Sequence, residues 1–62
     1  MSGQLDSQHF FRTGDTVRDP VGRLGKVVDG RSLYALVEWD GGGAEELDQF
    51  DSRFVVIQRA EQ

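Results

Sequence analysis

An all-β chain, folded as a small five-stranded barrel, is expected from three features of the sequence. Turn-forming residues recur every few positions from Thr13 onward, at Gly14-Asp15, Asp19-Pro20 with Gly22, Gly25, Asp29-Gly30, Asp40-Gly41-Gly42-Gly43 and Asp51-Ser52. The stretches between them are short and rich in Val, Leu, Ile and aromatic residues, the composition of strands. In the most regular of them, Ala35, Val37 and Trp39 alternate with Tyr34, Leu36 and Glu38, the period of two that puts one set inward and the other outward.

The five stretches are Thr16 to Arg18, Leu24 to Gly30, Leu33 to Trp39, Ala44 to Asp48 and Phe54 to Gln58. Asp29-Gly30 followed by Arg31-Ser32 predicts a tight reversal between the second and third, and Asp40-Gly41-Gly42 supplies positive-φ positions for the next hairpin. Leu47 to Asp51 is too short for an α-helix and predicts one turn of 3₁₀ helix before the last strand, closing the end of the barrel. Residues 1–11 carry no period and predict a flexible N-terminal tail, followed by the barrel over 12–59 and a C-terminal tail over 60–62. Phe10 and Phe11 can fold back over one end, since each forgoes about 1.5–3 kcal/mol of burial if left in water.

The expected core is Val17, Leu24, Val27, Ala35, Val37, Trp39, Leu47, Phe50, Val55 and Ile57. Val28, Tyr34, Leu36, Phe54 and Val56 are then left over. Tyr34, Leu36, Phe54 and Val56 are expected to form the most apolar exposed patch, where a partner or a second copy would bind.

With 62 residues, 37% hydrophobic, the chain supports one small core and not a multi-domain enzyme. The absence of cysteine removes disulfides, thiolate metal sites and cysteine nucleophiles together and fits a reducing compartment. The N-terminus has neither a basic start nor an apolar run, and no stretch is long enough to cross a bilayer, so a soluble cytoplasmic protein is expected. Seven basic residues face eleven acidic ones, a formal net charge of −4 that repels phosphate backbones overall.

The strings Gly14-Asp15-Thr16-Val17, Pro20-x-Gly22-Arg23-x-Gly25-Lys26-Val27-Val28 and Ala35-Leu36-Val37-Glu38-Trp39-Asp40-Gly41-Gly42 resemble SH3-like barrels of the KOW and Tudor type, including the mind-bomb-type domains of ubiquitin ligases. The resemblance covers residues 13–58 and implies the fold more than any one function. A small bacterial or phage accessory protein acting by binding is the expected class.

A protein partner is the first functional expectation. The resemblance to Tudor-type readers of methylated Lys or Arg implies an aromatic cage, for which Tyr34, Trp39 and Phe50 supply rings and Asp40, Asp48 and Asp51 supply carboxylates. The first loop, Asp19 to Leu24, has no aromatic, so the cage is incomplete. What survives is an acidic and aromatic surface drawn from Tyr34, Leu36, Glu38, Trp39, Asp40, Glu45, Glu46, Asp48, Phe50 and Phe54, with self-association as a further option.

The second expectation is a KOW-like nucleic-acid or transcription- and translation-associated role, carried by Arg18, Arg23, Lys26 and Arg31. Asp15, Asp19 and Asp29 interleave with these residues and blunt their field. A third, an oligomeric enzyme similar to the small plasmid-borne type II dihydrofolate reductases, fails at the residues that matter. Where that family carries a Val-Gln-Ile-Tyr run this chain has Glu45-Glu46-Leu47-Asp48, and near the family's pore lysine it has Asp19, so anionic folate and NADPH would be repelled. With His9 in the tail, one lysine and no cysteine, no catalytic residue is expected. No cofactor is expected either. Glu45, Glu46, Asp48 and Asp51 lack the spacing of a calcium loop, so no metal site is assigned.

Overall fold

The computed structural model describes residues 10–60 and places five strands where the turn residues leave room for them: β1 Thr16–Arg18, β2 Leu24–Gly30, β3 Tyr34–Trp39, β4 Ala44–Asp48 and β5 Val55–Gln58. The tail over residues 1–9, with His9, and residues 61–62 lie outside the described residues. All pairings are antiparallel in one sheet of order β4-β3-β2-β1-β5, and there is no helix among the described residues. None is therefore long and apolar enough to cross a membrane.

Two hairpins build the centre of the sheet. Arg31 N–H donates to Tyr34 C=O at 2.8 Å, so the β2–β3 reversal turns at Ser32-Leu33 and not at Asp29-Gly30, which both stay in the ladder opposite Leu36 and Ala35. Gly30 serves close approach instead of turning: a Cβ there would lie 2.7 Å from the carbonyl oxygen of Phe11. The β3–β4 hairpin does use glycine for its backbone freedom, with positive φ at Gly42 and Gly43. Before β5 the expected 3₁₀ turn is replaced by two successive reverse turns, closed by Asp51 N–H on Asp48 C=O and by Phe54 N–H on Asp51 C=O. The Asp48 and Asp51 carboxylates cap these turns by accepting the N–H of Phe50 and Arg53, an alternative to helix that Asp offers readily.

One core lies on the inner face: Phe11, Val17, Val27, Ala35, Val37, Trp39, Leu47 and Phe54, with Val56 packed against it. The Trp39 and Phe54 rings sit 6.1 Å apart. In a flat sheet β3 and β5 would be about 14 Å apart, three strand spacings, so the contact requires the sheet to curl round its core. Its edges, β4 and β5, are not joined by a ladder among the described residues.

The core differs from the expected one chiefly in the phase of β5. Val17 opposes Val56, and Arg18 opposes Val55, while the register shift before Thr16↔Gln58 leaves Ile57 as an extra residue. Directly opposed residues share a face, so Val56 points in with Val17, and Ile57 is turned out, 46% exposed. Phe54 is 6% exposed and belongs to the core, not to an exposed patch. Leu24 is exposed because period two cannot send both it and Val27 inward. Phe50 is 60% exposed, its ring edge-to-face with Phe10 at 5.5 Å between centroids.

Three buried polar residues fasten the loops. Asp15 is fully buried and its carboxylate accepts N–H groups from Arg12 (2.9 Å) and Ala60 (2.7 Å) and the Arg59 guanidinium (2.8 Å). Ala60 is thereby bonded to Asp15, and Phe11 is buried in the core. Gln49 exchanges hydrogen bonds with both main-chain groups of Phe11 and donates to Arg31 C=O at 2.7 Å, tying the N-terminal segment, the β2–β3 hairpin and the β4–β5 connection together. Asp19 accepts the N–H of Val21 and of Arg23 and so shapes the β1–β2 loop.

Candidate protein-binding surface

The alternation in β3 puts Tyr34, Leu36 and Glu38 on the outer face of the sheet. Register sets acids beside the two apolar side chains: Asp48 opposes Tyr34, and Glu46 and Asp29 flank Leu36 from β4 and β2, while Lys26 opposes the neighbouring Glu38. Asp40 sits in the hairpin at the end of the same strand. Tyr34, Leu36, Glu38, Glu46 and Asp48 from the expected surface therefore do share one face, with Val28 exposed beside them on β2.

Trp39, Glu45 and Phe54 lie elsewhere. Trp39 points into the core, its indole N–H donating to Glu45 Oε1 at 3.2 Å. The Arg23 guanidinium covers the Trp39 ring at 4.7 Å and that of Arg53 covers Phe54 at 5.3 Å. These two aromatic faces already hold cations of the chain itself. Trp39 is thus buried while Tyr34 and Phe50 are exposed, so the rings considered for a cage do not line one open site.

Charge is distributed unevenly. Arg23, Arg31, Arg53 and Arg59 are each bonded to a carboxylate, of Asp19, Asp29, Asp51 and Asp15 respectively. Among the described residues Glu38, Asp40, Glu45, Glu46 and Asp48 have no such partner, and all belong to β3, β4 or the hairpin between them. The basic set for nucleic acid fares worse. Arg23 and Arg31 are neutralised by neighbours and stand at opposite ends of β2, about 20–25 Å apart along an extended strand. Arg18 and Lys26 remain on the outer face, without a carboxylate within ion-pair distance among the described residues. No group of three or more His, Asp or Glu side chains is placed to hold a metal ion among the described residues.

Burial opposes ionisation of Asp19, but the hydrogen bonds and charge of Arg23, with the Val21 amide, outweigh it and lower the pKa below the ordinary carboxyl value. The Arg53 hydrogen bonds lower Asp51 in the same direction against a smaller burial effect. The unfolded chain therefore binds more protons than the folded one in acid. The resulting stabilisation is complete above about pH 4 and is lost as pH falls through the depressed folded values. Thermal midpoints followed by circular dichroism from neutral pH into acid are expected to fall below about pH 4, with a shallower fall for Asp19→Asn. A midpoint independent of pH across that range would refute this.

Gln49 carries no signal in the sequence, since a glutamine after a strand belongs to no pattern. The pairings Asp19–Arg23, Asp29–Arg31 and Asp51–Arg53 are within reach of sequence reasoning, since each joins residues two or four apart. No family model, no curated protein and no solved structure matches this chain.

Proposed function

We propose that the chain is a small non-catalytic interaction module that binds a protein partner through the outer face of β3 and β4. The observation that carries this reading is the set of uncompensated carboxylates around half-exposed Tyr34 and Leu36. Carboxylates in water gain little from isolation, and a basic partner gains attraction, faster encounter and orientation from them. The two apolar side chains add area to be covered at the centre. The motif resemblance to SH3-like KOW and Tudor barrels agrees with a binding role and leaves the partner open.

Fluorescence anisotropy with a labelled lysine-rich peptide tests the reading. Binding is expected at low salt and is expected to weaken as ionic strength rises past about 0.1 M, where the screening length falls to about 10 Å. The double reversal Glu46→Lys with Asp48→Lys is expected to weaken it by about tenfold or more. Undiminished binding by that variant would remove the surface from consideration.

A further inference from the structure

We infer that the partner segment binds as an added strand: an extended, lysine- or arginine-bearing peptide pairs with the open edge of β4. The inference rests on the proposed acidic surface and names its mode of recognition.

The geometry follows from the phase of the β3–β4 ladder. Trp39 N–H donates to Gly43 C=O at 2.9 Å and Gln49 N–H to Leu33 C=O at 3.1 Å, one bond at each end of the ladder. With Val37 opposite Glu45 and Ala35 opposite Leu47, those residues of β4 direct their main-chain groups to β3, and Ala44, Glu46 and Asp48 direct theirs away. β4 is the last strand of the sheet on that side. Asp48 C=O is taken by Asp51, and the ladder phase at the sheet edge leaves both main-chain groups of Ala44 and Glu46 and the N–H of Asp48 without a strand partner among the described residues. Unpaired groups in a row are a template for another strand.

The acids decide what can use it. A second copy of this chain lying antiparallel along β4 would set Glu46 against Glu46 or Asp48 of its own when the strands overlap fully, and like charges facing each other across strands are unfavourable. A neutral strand would gain main-chain bonds and leave those carboxylates partly desolvated. A strand with a basic residue at every second position places each one beside Glu46 or Asp48 on the outer face, next to Leu36 and Tyr34. Charge therefore selects the occupant, and the open main-chain groups of Ala44 and Glu46 hold it to the edge.

The test uses the full chain and two capped peptides of about seven residues, the span of β4 with one residue beyond each end, alternating lysine and threonine. One is unmodified. The other is N-methylated at alternate residues, so that its charge is kept and the donors facing β4 are lost. The unmodified peptide is expected to bind, and to slow amide hydrogen exchange at Ala44 and Glu46 by about tenfold or more at saturation, with the methylated peptide binding about tenfold more weakly. Equal affinity for the two peptides with unchanged exchange would overturn strand addition and leave the acidic surface standing. Binding of neither peptide would overturn both.

Discussion

Asp15→Ala is expected to cost about 3 kcal/mol, the lower part of the range for removing one partner of a buried ion pair. The carboxylate is fully buried and gathers two main-chain N–H groups and one guanidinium from the two ends of the folded unit. Its loss leaves the N–H of Arg12 and Ala60 without their acceptor. Arg59 keeps a third of its side chain exposed and can return to water, which is why the loss does not reach the upper part of the range. A single core in a domain of this size supplies only about 3–5 kcal/mol in total. Asp15→Ala should therefore keep only about 0–2 kcal/mol at room temperature, with a shortened folded baseline and a much lower midpoint in urea. Asp15→Asn, which keeps an acceptor for one of the two N–H groups, should retain a measurable midpoint below that of the parent. A parent-like midpoint for Asp15→Ala would show that the clasp between the two ends contributes nothing.

Trp39→Ala is expected to cost about 3–5 kcal/mol, as for other large buried aromatics. The indole fills the space that Gly25 leaves open across the β2–β3 ladder, where a Cβ would stand 2.6 Å from the Trp39 ring. It also touches Phe54 and lies beneath the Arg23 guanidinium. Removing it uncovers Phe54 and lets the curl between β3 and β5 relax, so the variant should fail to fold. Trp39→Phe keeps most of the packing and loses the hydrogen bond to Glu45, a change of about 1–2 kcal/mol that leaves a folded protein. Near-ultraviolet circular dichroism and urea unfolding separate the outcomes. A folded Trp39→Ala that has lost peptide binding alone would transfer Trp39 from the core to the binding surface.

Local rules carry most of the fold. Val and Gly spacing places all five strands, and alternation in β3 sends Tyr34, Leu36 and Glu38 outward as the structure has them. The phase of β5 is not readable because Phe54, Val55, Val56 and Ile57 are all apolar and show no alternation. A bulge against β1 then decides which of them faces the core. Phe11 is hidden for a different reason. It has no periodic neighbours, and its place depends on the Gln49 side chain, 38 residues away, acting as a substitute for a strand partner. Asp15 and Arg59 meet across a separation of 44 residues, again beyond any local pattern. Of the candidate surface, the acids of β3 and β4 are legible from composition, whereas the covering of Trp39 and Phe54 by Arg23 and Arg53 follows from loop geometry set by Asp19 and Asp51.

Binding through the acidic outer face of β3 and β4 is best decided by nuclear magnetic resonance of the ¹⁵N-labelled chain titrated with the lysine-bearing peptide. Amide shifts should concentrate at Leu36, Glu38, Ala44, Glu46 and Asp48 and be small at Arg18, Arg23 and Arg59. Shifts centred instead on Arg18 and Lys26, or spread evenly over the chain, would mean that this face is a solvated surface and that the protein works by other means.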